Sequence, residues 1–265
     1  MTKRNPRVGL LLATYNWPQA LKLVLESVLK QTRLPDEILI GDDGSNEDTW
    51  ELIDRFSRKT KIPIAYEWQE DRGFRKSIIL NKVMKKADSD YIIQIDGDII
   101  LHRNFIEDHL REAEKNRFIQ GCRTLLGPMI THDLLRGYDC KMHFLASDIN
   151  NRFNAMRLPY LSFLTRSAAD QPHNIKACNI AYWREDFVKV NGYDNLFDGW
   201  GWEDDEFAAR LINRGILKKR VKLAAVCYHL NHDCHSRYSL ERNQGMFFKT
   251  LQLRRTIAEN GLAQV

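Results

Sequence analysis

The chain has 265 residues, with 40 basic side chains against 35 acidic ones, a net charge of +5 and 43% hydrophobic residues. With only 14 glycines and 7 prolines this composition excludes collagen-like, low-complexity and disordered classes. The small positive charge does not argue for nucleic acid; it suits an anionic small substrate or weak attraction to an acidic membrane face.

Val8 to Thr14 is a continuous apolar run, as expected of a strand buried on both faces. Pro18 stands where a helix can begin, and Leu21, Val24, Leu25, Val28 and Leu29 follow at helical spacing before Pro35. Glu37 to Gly41 predicts a second strand, residues around Trp50 to Phe56 a helix, Ile62 to Trp68 a strand, Phe74 to Ala87 a helix and Tyr91 to Ile95 a strand. This alternation predicts an α/β fold with a mostly parallel central sheet flanked by helices. After residue 101 the alternation fails. Residues 130–172 read as a long loop or small helical insertion, Asn179 to Trp183 as a strand, Glu203 to Arg214 as a helix, Val221 to Tyr228 as a strand, and 239–258 as an amphipathic terminal helix. One domain is expected, with a first half over 1–101, a second over 102–238 and a C-terminal helix over 239–265. No stretch approaches the ~20 apolar residues that span a bilayer. No signal peptide is visible, so a cytoplasmic setting is expected. The five cysteines (Cys122, Cys140, Cys178, Cys227, Cys234) form no CxxC pair and are expected to be reduced thiols.

In parallel sheets ligands bind beyond the carboxyl ends of the strands. Three such ends are polar here: Thr14-Tyr15-Asn16, Asp42-Asp43 and Asp96-Gly97-Asp98. Two carboxylates flanking a glycine where a buried strand emerges would repel each other. A divalent cation with hard oxygen ligands, Mn²⁺ or Mg²⁺, resolves this and binds diphosphate oxygens as well. A solvated Asp-Gly turn is the plain alternative. At 42–45, one aspartate can cap the next helix while the other, Asp43, accepts from a base imide N–H such as uracil offers, with Tyr15 stacking on the base.

These segments, ATYNWP, ILIGDDGSNEDT and IQIDGDIIL, together resemble the signature of family 2 glycosyltransferases over the first hundred residues. The resemblance implies the GT-A fold of nucleotide-diphospho-sugar transferases. It implies that Thr14, Tyr15, Asp43 and Arg75 hold the nucleotide. Asp96, Gly97 and Asp98 correspond to a DxD motif that binds the metal, the ribose and the diphosphate.

The run Gly192 to Glu206 alternates glycines with tryptophans and ends in Glu203-Asp204-Asp205-Glu206. Acidic residues favour a helix N-terminus for purely structural reasons, but a carboxylate there can also serve as a general base. The run resembles the C-terminal region of beta-1,4-galactosyltransferases and of bacterial chondroitin-type polymerases. That resemblance implies Asp204 as base with Glu203 beside it. It implies that Glu203 and Asp205 orient the acceptor or hold the loop, while Trp200 and Trp202 offer aromatic faces to a sugar and Asn179 a hydrogen bond to a sugar hydroxyl. Three histidines and two cysteines crowd 227–235 without a common zinc spacing. The resemblance implies His229 as a third metal ligand, with His232 second, and Arg237 near the departing diphosphate.

The expectation is an inverting, metal-dependent transferase moving a sugar from a UDP-sugar to a glycan or lipid-linked glycan, with no nucleic-acid partner. The basic terminal helix could touch a membrane face or dock on the core. A sugar-1-phosphate nucleotidyltransferase would need a Gly-rich phosphate loop after the first strand, where ATYNWP stands. A non-catalytic carbohydrate-binding protein would leave the acidic strand ends unexplained. An aspartate pair trailed by Ile-Ile on a later strand argues against a haloacid-dehalogenase-type phosphatase.

Overall fold

A computed structural model describes residues 6–165, 167–169, 171–233 and 238–265. The chain begins with Val8–Thr14 (β1), Pro18–Leu29 (α1), Glu37–Asp42 (β2), Glu47–Ser57 (α2), Ile64–Trp68 (β3), Lys76–Met84 (α3) and Tyr91–Asp96 (β4). It continues with Ile99–Leu101 (β5), Phe105–Glu112 (α4), Arg117–Gln120 (β6), Thr124–Leu126 (β7), Pro128–Leu135 (α5), Ile149–Asn150 (β8) and Ser167–Ala169 (β9). Ile180–Trp183 (β10), Arg184–Lys189 (α6), Glu203–Asn213 (α7), Leu217–Arg220 (β11), Cys227–His229 (β12) and Leu240–Gln252 (α8) complete the order.

The larger sheet runs β3-β2-β1-β4-β10-β6-β11-β9. Strands β3, β2, β1 and β4 are mutually parallel, and β10 joins β4 antiparallel through Ile180 opposite Gln94. The sheet is therefore mostly parallel and crosses from the first half of the chain into the second. Alternate side chains of β1 feed two cores. Leu10 and Leu12 pack with Leu21, Val24 and Ile53 of α1 and α2. Leu11 packs with Leu80, Val83, Phe187 and Phe207 of α3, α6 and α7. Burial on both faces explains why these strands read as unbroken apolar runs.

A smaller sheet, β5-β12-β7-β8, stands beside the first. Its β12 pairs antiparallel with β5, His229 opposite Ile99, and parallel with β7. The expected strand over Val221 to Tyr228 is corrected to a short β12. Leu223 and Ala225 have φ of +61° and +50°, a left-handed conformation no ladder accepts. The expected terminal helix is likewise shorter, ending at Gln252. It docks on α7: Phe247 stacks on Trp202 at 5.1 Å, and Thr250 Oγ1 donates to Glu206 Oε1 at 3.0 Å. Buried Arg210 closes this joint, donating to both oxygens of Glu206 and to the carbonyls of Val190 (2.7 Å) and Gly192 (2.6 Å). No helix among the described residues is long and apolar enough to cross a membrane. Cys122, Cys140, Cys178 and Cys227 are free thiols, whereas Cys234 and Arg237 lie outside the described residues.

Candidate active site

The carboxyl ends of β1 and β4 open into a cavity of about 850 Å³ lined by Thr14, Tyr15, Asp43, Lys76, Asp96, Gly97, Asp98, Arg123, Trp200, Glu203, Asp204, His229 and His232, among others. Gly97 N–H donates to Ala13 O at 2.8 Å, so the 96–98 turn is pinned directly above β1. A Cβ on Gly97 would sit 3.0 Å from Ala13 O and 3.1 Å from Thr14 Oγ1, which explains why the close turn suits glycine.

The aspartates at 42–43 divide their work. Asp42 accepts from Ser45 N–H at 2.8 Å and from Tyr66 Oη at 2.9 Å, shaping the turn. Asp43 lines the cavity, accepting from Gln69 Nε2 at 2.6 Å and Arg75 N–H at 2.7 Å. Each of its oxygens keeps a second lone pair. Burial raises its pKa to about 6 against the pull of those hydrogen bonds. Tyr15 is half exposed at the rim, with its hydroxyl donating to Asp71 at 2.8 Å. Arg75 acts on the site through its backbone N–H and through its charge, which favours the ionised form of Asp43. Its guanidinium donates to Glu70 O, and Lys76, the next residue, occupies the cavity wall instead.

Lys76 Nζ lies 2.5 Å from Asp96 Oδ1. Burial works against its charge, but Asp96, Asp204 and Glu203 outweigh it and hold the lysine protonated well above its ordinary range. Asp96 therefore has a fixed counter-ion. Of the expected metal set Asp96, Asp98 and His229, the geometry gathers Asp98 and His229, joined by His232, while Asp96 faces Lys76. Asp98 instead meets two imidazoles, His229 Nε2 at 3.5 Å and His232 Nε2 at 3.2 Å. One ligand atom from each of Asp98, His229 and His232 lies within 4.8 Å of the others. His232 Nδ1 is 2.6 Å from the Asp233 carbonyl, which can only accept, so Nδ1 carries a proton and Nε2 is the atom directed at Asp98. Asp98 Oδ1 is buried with no hydrogen-bond partner. A carboxylate with an orphaned oxygen beside two imidazole nitrogens fits a divalent cation such as Mn²⁺.

Across the cavity, α7 begins with Glu203 and Asp204. Glu203 Oε2 accepts from Gly201 N–H at 2.8 Å. Burial, and after it the charge of Asp204, pushes its carboxyl up to about 8. Asp204 Oδ2 accepts from Ala177 N–H at 3.0 Å, while its Oδ1 is buried without a partner. Burial raises its pKa too, but Lys76 and the Ala177 N–H oppose the rise. Burial thus raises both carboxyls, and Glu203 is raised further by the charge of its neighbour.

Asn179 and Trp202 are engaged within the protein, and Asp205 takes the loop-holding one of its two expected roles. Asn179 is buried off the cavity wall, its Nδ2 donating to the carbonyls of Cys122 (2.7 Å) and Ala225 (3.0 Å) and its Oδ1 facing His109 Nε2 at 2.9 Å. Trp202 packs on Phe247 and Phe248 of α8, away from the cavity wall. Asp205 accepts from Ile175 N–H at 3.2 Å, tying a loop to α7, and burial raises its pKa to about 6. Trp200 does line the cavity. Sequence reasoning missed Lys76 and Arg123. Arg123 Nη1 bonds the Cys178 thiol at 3.1 Å and adds positive charge near Asp96 and Asp98. Neither residue stands in a recognisable spacing, so only the fold reveals them.

Residues 10–177 match the family described as "Glycosyl transferase family 2", and residues 169–233 match "N-terminal domain of galactosyltransferase". A chondroitin synthase of Pasteurella multocida (strain Pm70) is 25% identical over 85% of this chain and 25% of its own length. A hyaluronan synthase of Pasteurella multocida is 26% identical over 84% of this chain and 24% of its own. The chain thus spans about a quarter of these relatives. A mannosyltransferase from Pyrobaculum calidifontis, solved in complex with GDP-Man and Mn²⁺, superposes with a TM-score of 0.61 at 15% identity, covering 96% of this chain and 70% of that one.

Proposed function

The chain belongs to glycosyl transferase family 2, and from that premise we propose that it is an inverting GT-A transferase. It moves a hexose or N-acetylhexosamine from a UDP-sugar to a hydroxyl of a glycan acceptor, in the synthesis of a bacterial surface polysaccharide. One observation carries the reading: a cation-ready cluster and a half-unpartnered carboxylate line the same cavity. The metal-bearing corner is Asp98 with His229 and His232, and Asp96 contributes through Lys76. When bound there, Mn²⁺ or Mg²⁺ supplies Lewis-acid stabilisation of the leaving diphosphate. Lys76 and Arg123 add fixed positive charge on the same side. Thr14, Tyr15, Asp43 and Gly97 form the nucleoside end, with Tyr15 offering a ring face and Asp43 a second lone pair for a base N–H. Asp204 Oδ1 takes the proton of the acceptor hydroxyl. The acceptor's oxygen, relieved of that proton, bonds to the anomeric carbon as the carbon–phosphate-oxygen bond breaks on the opposite face, which inverts the configuration. Neutral Glu203 buttresses Asp204 without competing for the proton, and Trp200 presents an aromatic face to a sugar. The relatives' names, and the match of 169–233, favour the galacto and gluco series: UDP-galactose, UDP-GalNAc or UDP-GlcNAc.

The test is a donor panel read by mass spectrometry with Mn²⁺ present. Sugar transfer or UDP release is expected from one UDP-sugar. Asp204→Asn should lower turnover by ~10²–10⁴-fold with UDP binding intact. Asp98→Ala should weaken Mn²⁺-dependent UDP binding in calorimetry. Normal turnover in Asp204→Asn overturns the base assignment. Pyrophosphate-dependent formation of UTP would mark a nucleotidyltransferase instead.

A further inference from the structure

The segment 149–165 takes little part in the chemistry above, yet it is firmly attached. Arg157 donates to the buried Asp108 carboxylate through Nε and Nη2, each at 2.8 Å. Buried Ser162 donates to Glu112 Oε1 at 2.8 Å, and Leu158 N–H donates to Leu223 O at 2.8 Å. Its apolar side chains stay in water: Phe153 is 73% exposed, Tyr160 89%, Phe163 56% and Leu164 67%. The usual pattern is inverted, with the polar residue inside and the aromatic and leucine residues outside. A cluster of this kind marks an interaction surface.

Charge selects the partner. Residues 149–165 and 217–223, joined by the Leu158–Leu223 bond, carry six charged side chains: Arg152, Arg157, Lys218, Lys219, Arg220 and Lys222. Neither stretch contains an acid. Arg157 and Lys219 are committed to Asp108, Glu112 and Glu114, whereas Arg152 and Arg220 are exposed. Tyrosine, phenylalanine and leucine side chains beside exposed arginines are the chemistry of an interfacial anchor on an anionic bilayer.

We propose that residues 153–164 dock the chain peripherally on an anionic membrane surface. Tyr160, Phe163 and Leu164 enter the headgroup–acyl boundary, and Arg152 and Arg220 meet lipid phosphates. The segment also reaches the cavity mouth. Asn150 lines the cavity, and Asn154 Nδ2 holds the carbonyl of Arg123, another lining residue, at 2.9 Å. On the transfer reading, docking would deliver a membrane-anchored acceptor beside Asp204; the docking itself rests on the surface alone.

Co-sedimentation of the full chain with phosphatidylcholine vesicles, with and without phosphatidylglycerol, tests it. Salt-sensitive partition onto the phosphatidylglycerol vesicles is expected. Phe163→Asp with Leu164→Asp should reduce it at least ~10-fold, with the melting temperature retained. Should that pair fail to fold, Arg152→Glu with Arg220→Glu decides, because it should reduce partition onto the anionic vesicles. Absence of partition, equal partition onto both vesicle types, or indifference to the charge reversals overturns the proposal. Self-association abolished by Phe163→Asp with Leu164→Asp, without vesicle binding, also overturns it and assigns the face to a second copy.

Discussion

Glu203 offers a test of the α7 electrostatics that needs no substrate. Its carboxyl is buried beside Asp204, and its pKa rises from an ordinary 4.5 to about 8. Below the ordinary value both the folded and the unfolded chain hold the proton, and the favourable difference is fully present. Between there and about pH 8 the folded protein keeps a proton that the unfolded chain has released. Unfolding therefore becomes easier with each pH unit, by up to ~1.4 kcal/mol. From about pH 5.5 to about pH 8 the loss is ~3 kcal/mol at most, and ~2 kcal/mol once Asp204 shares the proton. Urea denaturation in the presence of a chelator, at both pH values, measures it. Glu203→Gln removes the titration and should flatten the dependence by ~2–3 kcal/mol. Asp43 and Asp205, both raised to about 6 by burial, titrate in both proteins, so the difference reports the Glu203–Asp204 pair. If the variant loses as much stability as the parent over that range, the assignment of the proton to Glu203 is wrong.

Two further substitutions separate packing from chemistry. Arg210→Met leaves Glu206 as an uncompensated buried charge and the Val190 and Gly192 carbonyls without their donor. A loss of ~3–5 kcal/mol is expected in chemical denaturation, and a loss below ~1 kcal/mol would refute the joint. Asn179→Ala strands the carbonyls of Cys122 and Ala225 and should cost ~2–3 kcal/mol with the KM for acceptor unchanged. A raised KM at parental stability would return Asn179 to the acceptor.

The first hundred residues were legible because each buried parallel strand is an unbroken apolar run and each loop after it is polar. The DGD turn could be located from those runs alone. The partners of its aspartates could not. Lys76 and Arg123 converge on the corner from α3 and from the bend before β7, and single basic residues carry no periodic signal. The misplaced strand at 221–228 has a related cause, since apolar residues can be buried in left-handed turns as well as in ladders. Trp202 and Asn179 were recognisable by residue type, but their roles depend on Phe247 and on Cys122, Ala225 and His109, far away in the chain. Local pattern does not reach contacts of that range.

The small sheet has a consequence for how the protein can diversify. His229 pairs with Ile99 on the last rung of an antiparallel ladder, the acid at 98 stands just beyond it with its carbonyl accepting from Leu230 N–H, and β7 closes the far side. The insertion from 128 to 165 supplies β8 to that frame, and beyond β8 its residues 151–165 are held by Asn154 on Arg123, Arg157 on Asp108, Ser162 on Glu112 and the Leu158–Leu223 backbone bond. Rewriting the stretch beyond β8 leaves the sheet untouched, so recognition can evolve there while the reactive corner stays fixed.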